Sequence, residues 1–373
     1  MGNLPLAGDF NAGPEAIKYP LAIDLCTICG LLQVRETVDH SVLFNENYCY
    51  ASSTVPALVR HFEEFARTIP SGCKVFEIAP NDGVLLAPLG ERGILCAGMD
   101  ASANIVRLAQ ERGCNVICGF FNKESSSRAA DLVPGGKYDI VTCSNVFAHN
   151  PDPDSIMEGV REILKPGGTL IIEVHDAKKL HALLQWDCFY HEHCFYWTQR
   201  ALQRYLWRHG FRTVNCTELT MHGGAFRMIS RWEPELGEHA QFLSYVSPEE
   251  WREFGDRARR SRNTLNELME DLGTTYNIKL LGAAGRASTL VNWANLQSFI
   301  QCAYDGSPLR IGKQIPGTSI RIRDEQELLE PTVCEGRYRY GLLGAWHLRE
   351  SLIKKFKHPF NLFICPLPNA TIY

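Results

Sequence analysis

Residues 74–83 read Lys74-Val75-Phe76-Glu77-Ile78-Ala79-Pro80-Asn81-Asp82-Gly83. An apolar, β-prone run gives way to a Pro-Asn-Asp-Gly turn, which predicts a strand over Lys74–Ile78 and a helix after Gly83. In open α/β sheets the turns beyond the carboxyl ends of strands bind ligands. Gly83 would let the backbone approach such a ligand, and Glu77 or Asp82 is placed to take an ammonium group, with Asn81 beside them. Outward from this turn, a second strand, Ile94 to Met99, ends on Asp100. Further strands are expected at Val116 to Gly119, Tyr138 to Cys143 and Thr169 to Val174, the last after Lys165-Pro166-Gly167-Gly168. Strands alternating with helical segments, including a helix from Pro56 to Arg67, imply a parallel α/β sheet.

The same pattern recurs beyond a charged helical stretch, Glu249 to Leu272. Ile278 to Gly282 runs into Ala283-Ala284-Gly285-Arg286, Ile300 to Tyr304 ends on Asp305, and Tyr340 to Leu343 and Leu362 to Cys365 complete a second, smaller α/β unit. The first 50 or so residues look irregular and carry the pair Cys26-Thr27-Ile28-Cys29. The expected organisation is therefore a small N-terminal domain (1–55), a Rossmann-like ligand-binding domain (56–245) and a Rossmann-like α/β C-terminal domain (246–373).

Composition limits the function. The chain has 373 residues, 45% hydrophobic and 21% charged, ordinary for a globular protein. A net charge of -4 and a pI near 6.3 argue against nucleic acid or an anionic membrane as the main partner. Neither a signal peptide nor a bilayer-spanning apolar run is read, so the 14 cysteines are taken as reduced thiols of a cytoplasmic enzyme acting as a monomer or homodimer.

The first turn lacks a G-x-G-x-x-G and so points away from a nicotinamide cofactor. With Asp100 placed to accept ribose hydroxyls, it is best read as an S-adenosylmethionine site made of Glu77, Asn81, Asp82, Gly83, Asp100 and Asn145. His149 follows the fourth strand and lies on the same ligand-binding edge. After the fifth comes Tyr190-His191-Glu192-His193, four polar side chains that make a poor core strand and a good proton-transfer site. In an extended backbone His191 and His193 share one face and Tyr190 and Glu192 the other. Alternate histidines also suit a metal, though no third ligand stands nearby. A methyl donor beside a proton-transfer cluster implies methylation of an atom that first loses a proton.

These residues carry a resemblance. From about Lys18 to Glu330 the chain resembles the nucleotide-sugar C-methyltransferases that act on TDP-4-keto deoxysugars. The matching landmarks include Tyr19-Pro20-Leu21, Cys26-x-x-Cys29-Gly30, Tyr48-x-Tyr50-x-Ser52-Ser53, Glu77-Ile78-x-x-Asn81-Asp82-Gly83, Ala148-His149, Tyr190-His191-Glu192-His193, His222-Gly223-Gly224 with Arg227, and Gly312-Lys313-Gln314. The resemblance implies His193 as the base α to a ketone, with Tyr190, Glu192 and His149 orienting it and stabilising the enolate. It places Tyr48, Tyr50, His191, His222 and Arg227 on the acceptor, a nucleotide sugar, and implies a zinc site in the N-terminal domain. Arg286, beside the helix start at Gly285, is read as a bidentate grip on the pyrophosphate.

Three departures stand out. Cys26 and Cys29 furnish half of a tetrahedral zinc site. His175-Asp176 stands where the family has Pro-Tyr, and Gly285-Arg286-Ala287 where it has Ala-Lys-Gly. These changes keep open a non-sugar metabolite as acceptor, and a catalytically idle binding homologue as a further alternative.

Overall fold

A computed structural model describes residues 1–235, 246–273, 278–330, 333 and 335–373. Its largest element is a seven-stranded sheet with Lys74–Ile78 near the middle, paired in parallel with Leu95–Asp100 on one side and Tyr138–Ser144 on the other. Val75 and Phe76 are fully buried on opposite faces of that strand, as a parallel sheet covered on both sides demands. The helix Pro56–Thr68 packs Leu58, Phe62 and Phe65 on one face. Helices Pro153–Ile163 and Gln199–Arg208 cover the other, the first begun by the Asp152 carboxylate accepting the Ser155 N–H. Beyond the parallel strands, Leu164–His175 pairs antiparallel with Ala225–Trp232, and that strand with Phe211–Leu219. Leu164–His175 is longer than expected: it runs straight through Lys165-Pro166-Gly167-Gly168, with a register shift opposite Tyr138–Ile140.

The second α/β unit is a six-stranded sheet ordered 322–324, 300–305, 278–281, 338–343, 360–365, 371–372, parallel except at its last strand. The helix Pro248–Gly273 buries Trp251, Phe254, Ala258, Leu265 and Met269 along one stripe against this unit. No helix among the described residues is long and apolar enough to cross a membrane.

The N-terminal stretch is more regular than its sequence. Gly2–Pro5 pairs with Lys18–Leu21, and Ile23–Leu25 with Leu32–Val34. Strands of three or four residues are too short to show a period in sequence. The third strand of the latter sheet is Phe195–Tyr196, directly after the His-rich cluster. That cluster is not extended. Tyr190–His193 forms a turn closed by the His193 N–H donating to Tyr190 O at 3.1 Å, so Tyr190 and His193 meet and the predicted alternation of faces is lost.

Candidate active site

The carboxyl ends of the large sheet's parallel strands carry a cluster of left-handed residues. Ala79 (φ 49), Asn81 (φ 52), Gly83 (φ 78) and Asn145 (φ 56) all sit just past strand ends, where strained backbone often marks a ligand site. Gly98 makes the fold-back after Ile78 possible, since a Cβ there would lie 2.9 Å from Glu77 O and 2.7 Å from Pro80 Cγ. The Asp100 carboxylate accepts the N–H of Asn81 at 3.0 Å and of Ser102 at 2.9 Å, which fixes its orientation at the pocket edge. Burial raises its pKa. Glu77 is 3% exposed and its Oε2 has no partner. Burial, then Glu173, Asp100 and Asp82, hold its pKa well above the ordinary value. Thr142 Oγ1, on the residue paired with Glu77, and Ser144 Oγ are also buried without partners. Orphaned acceptors of this kind require a ligand or water. A carboxylate aimed at an ammonium, with a second placed for ribose hydroxyls, fits S-adenosylmethionine.

Three residues of the predicted donor site have other duties. Asn81 Oδ1 accepts the Ser52 N–H at 2.8 Å and its Nδ2 donates to Tyr50 O at 3.1 Å. The Asp82 carboxylate accepts the Ser53 N–H and lies 3.7 Å from Arg112 Nη1. These side chains pin the Tyr50–Ser53 stretch over the turn. At Gly83 a Cβ would strike Cys114 Sγ at 2.6 Å, so the glycine serves the turn and the packing behind it.

Across from this edge stands the acid–base cluster. Tyr190 Oη lies 2.9 Å from His193 Nε2, and His193 Nδ1 lies 3.2 Å from Cys188 O. A carbonyl only accepts, so Nδ1 carries the proton and Nε2 keeps its lone pair, to which the Tyr190 hydroxyl donates. The His149 ring meets His193 edge-on, centroids 4.8 Å apart. Burial, followed by His149 and His175, depresses the His193 pKa well below the usual imidazole range; His149 itself is lowered to about 4, chiefly by burial. His193 is thus a neutral base. Glu192 turns away from it. Glu192 Oε1 sits where a Cβ on Gly8 would come within 2.6 Å, and burial, partly offset by a hydrogen bond from the Gly8 backbone, raises its carboxyl to about 7. Tyr48 lies near both Glu192 and Asp100, and Tyr50 near Arg310 and Asp82. Burial lifts both phenols, Tyr50 to about 12, with Glu192 acting next on Tyr48.

The remaining predicted acceptor residues divide. His222 is half-buried and strained (φ 55) with its pKa lowered to about 4 by burial and Arg286, and it stands at the cleft. His191 does not: Nε2 reaches Tyr19 O at 3.2 Å and the buried ring packs on Tyr19, seating the N-terminal hairpin. Arg227 is locked on Glu173 at 2.5 Å and lies over the Phe65 ring at 3.7 Å, while His61 holds the other Glu173 oxygen at 2.9 Å. Arg286 is engaged by the protein itself. Its Nε and Nη2 meet Asp187 Oδ2 and Oδ1 at 3.0 Å each, and its Nη1 donates to His222 O at 2.9 Å. Trp346 Nε1 also donates to Asp187, at 2.9 Å. Sequence reading missed Asp187, Gln185 and Trp346, whose partners lie up to 159 residues away. The departure at His175-Asp176 was the one local signal nearby.

Cys26 and Cys29 are free and partly exposed, on a turn closed by the Gly30 N–H donating to Cys26 O at 2.8 Å. Among the described residues no group of three or more His, Cys, Asp or Glu side chains could hold a metal ion. The residues present therefore do not complete a zinc site.

Residues 50–215 match the methyltransferase domain family and residues 221–368 the C-methyltransferase C-terminal domain family. Along its whole length the chain is 28% identical to C-methyltransferase NovU of Streptomyces niveus, 92% of which is covered. A 109-residue stretch, 28% of the chain, is 31% identical to the ubiquinone biosynthesis O-methyltransferase of Methylococcus capsulatus and spans 44% of that protein. The CcbJ methyltransferase of Streptomyces caelestis superposes on 49% of this chain and 93% of its own, at 14% identity and a TM-score of 0.38.

Proposed function

Because the chain belongs to the S-adenosylmethionine-dependent C-methyltransferases, we propose that it methylates a carbon next to a ketone on a nucleotide-linked keto-deoxysugar. The observation that carries this reading is the Tyr190–His193 pair, a neutral imidazole whose Nε2 lone pair is capped by the Tyr190 hydroxyl. Such a group takes a proton from carbon, and the neutral phenol donates to an oxygen that gains charge. S-adenosylmethionine supplies an electrophilic methyl group. His193 holds the abstracted proton at Nε2 while Cys188 O keeps the ring oriented through Nδ1. Glu77 and Asp100 bind and orient the donor, and Tyr48 and Tyr50 shape the acceptor side.

A diphosphate needs cations, and Arg286 is committed to Asp187. Support for the nucleotide comes instead from a cavity of about 320 Å³ lined by Phe10, Asn11, Gly312, Lys313, Gln314 and Arg321. Lys313 Nζ lies 2.9 Å from Cys49 Sγ, between Tyr48 and Tyr50, which joins this basic cavity to the acceptor side. A keto metabolite without a sugar is the second reading, favoured by the neutralised Arg286. Incubation with methyl-labelled S-adenosylmethionine, TDP-linked 4-keto sugars and free keto acids separates them. A new C–CH₃ carbon in the sugar, seen by NMR, is the expected product. Label only in the keto acids, or on oxygen, overturns the sugar reading.

A further inference from the structure

His175 ends the strand Leu164–His175 on the same sheet face as Glu173, and Glu77, Thr142 and Ser144 occupy that face at the neighbouring strand ends. It is half-buried and stands close enough to His193 that charge on either disfavours charge on the other. Its Nε2 lies 3.0 Å from Gln185 Oε1. The Gln185 amide is oriented twice over: its Nε2 donates to Gly223 O at 2.7 Å, and Arg286 Nη2, which has only protons to offer, faces its Oε1 at 3.4 Å. An oxygen therefore faces His175, so Nε2 carries the hydrogen and Nδ1 is a lone pair. Nδ1 has no hydrogen-bond partner among the described residues. Protonation does not turn it into a donor, because burial and then Arg286 lower the His175 pKa to about 3. Arg286 is itself anchored by Asp187 and Trp346, so the whole arrangement is rigid.

We propose that His175 determines acceptor specificity by taking, at its Nδ1, a hydrogen bond from a hydroxyl or amino hydrogen of the acceptor. A carbonyl or carboxylate in that place meets lone pair against lone pair and is rejected. The inference rests on the keto-sugar reading above and names the substituent that this site selects.

The test compares kcat/KM for TDP-4-keto-6-deoxyglucose with its 2-deoxy and 3-deoxy counterparts, in wild type, His175→Leu and His175→Asn. Wild type favours the hydroxylated sugar over at least one deoxy form by roughly tenfold or more. His175→Leu brings that ratio to within about twofold of unity while S-adenosylmethionine affinity, read by calorimetry, is kept. His175→Asn, whose Oδ1 stands near the former Nδ1, preserves much of the ratio. A merely structural role lowers both rates together and leaves the ratio alone, so an unchanged ratio in His175→Leu overturns the proposal, as does a wild type blind to every hydroxyl. A second measurement needs no variant: in ¹⁵N-histidine-labelled protein the His175 Nδ1 resonance moves on adding the hydroxylated sugar and not its deoxy form, and an unmoved resonance also overturns the proposal. If wild type forms no C-methyl product from any of these sugars, the keto-sugar reading falls and takes this inference with it.

Discussion

The Tyr190 hydroxyl sits 2.9 Å from Nε2 of His193, on the one nitrogen of that ring left free of a proton. The free enzyme therefore holds its base capped by a hydrogen-bond donor. An acceptor displaces that cap or works through it. His193→Asn should lose about 10²- to 10⁴-fold in kcat, the usual span of general-base catalysis, while binding the donor normally. Wild type in deuterium oxide should place deuterium at the acidic carbon or methylate with loss of that proton. Near-normal turnover in His193→Asn would assign the base to another group. Tyr190→Phe should lose less, about tenfold, because it removes one neutral hydrogen bond.

Glu192, with its carboxyl near 7, changes charge in the working range, whereas His193 is already neutral above pH 6.5. The wild-type kcat profile should therefore bend near pH 7, and Glu192→Gln should flatten that bend. A profile unchanged in Glu192→Gln would leave the carboxyl outside the reacting complex.

For the donor, Asp100→Ala removes a carboxylate that accepts two backbone N–H groups and is aimed at the pocket. Charge-assisted bonds of this kind contribute about 1.5–3 kcal/mol each, so affinity should fall by roughly tenfold or more. Calorimetry without acceptor checks this, and an unchanged affinity removes Asp100 from the site.

Arg286 and Asp187 form a buried bidentate pair between the large sheet's loops and the second α/β unit. Asp187→Ala leaves a buried guanidinium unpaired and takes the acceptor from Trp346 Nε1. Breaking a buried pair costs about 3–5 kcal/mol, to be read as a lowered denaturation midpoint. Arg286→Ala should likewise act on stability before acceptor KM. If it raises KM alone at full stability, the guanidinium does touch the substrate.

Acid should loosen the fold. His149 and His222 are lowered to about 4 and His175 to about 3, against 6.5 when unfolded. Between those values the unfolded chain binds more protons, so stability rises with pH from about 4 to 6.5 and is lost on acidification through that window. Glu192, raised to about 7, and the raised carboxyls of Glu77, Asp100 and Asp176 work in the opposite sense, against the lowered His149, His175, His193 and His222. Denaturation midpoints at pH 5 and pH 7 give the sign; equal midpoints would mean that the imidazoles are not desolvated as described.

The donor edge was legible because its signals are local: an apolar strand, a Pro-Asn-Asp-Gly turn and an acid at the next strand end lie within 30 residues. Tyr190 and His193 were legible as chemistry, but their shared side followed from a turn that four polar residues do not announce. Arg286, Arg227 and His191 have partners that the sequence does not announce, for one reason. A basic side chain in sequence looks available, and only the folded chain shows that Asp187, Glu173 or Tyr19 O already engages it. The partners of Asn81 and Asp82 were hidden for the same reason, since the loop they hold lies about 30 residues earlier.

The pairing of Phe195–Tyr196 with Leu32–Val34 also bears on how the molecule is made. The ribosome releases the first two strands of that small sheet long before the third, with about 160 residues of intervening chain. Until the last strand arrives, Leu32–Val34 presents an open edge, the kind that recruits stray chains. The catalytic turn, immediately before that strand, is thus among the late pieces to lock. Assembly intermediates should hold a methyl donor before they can hold a base.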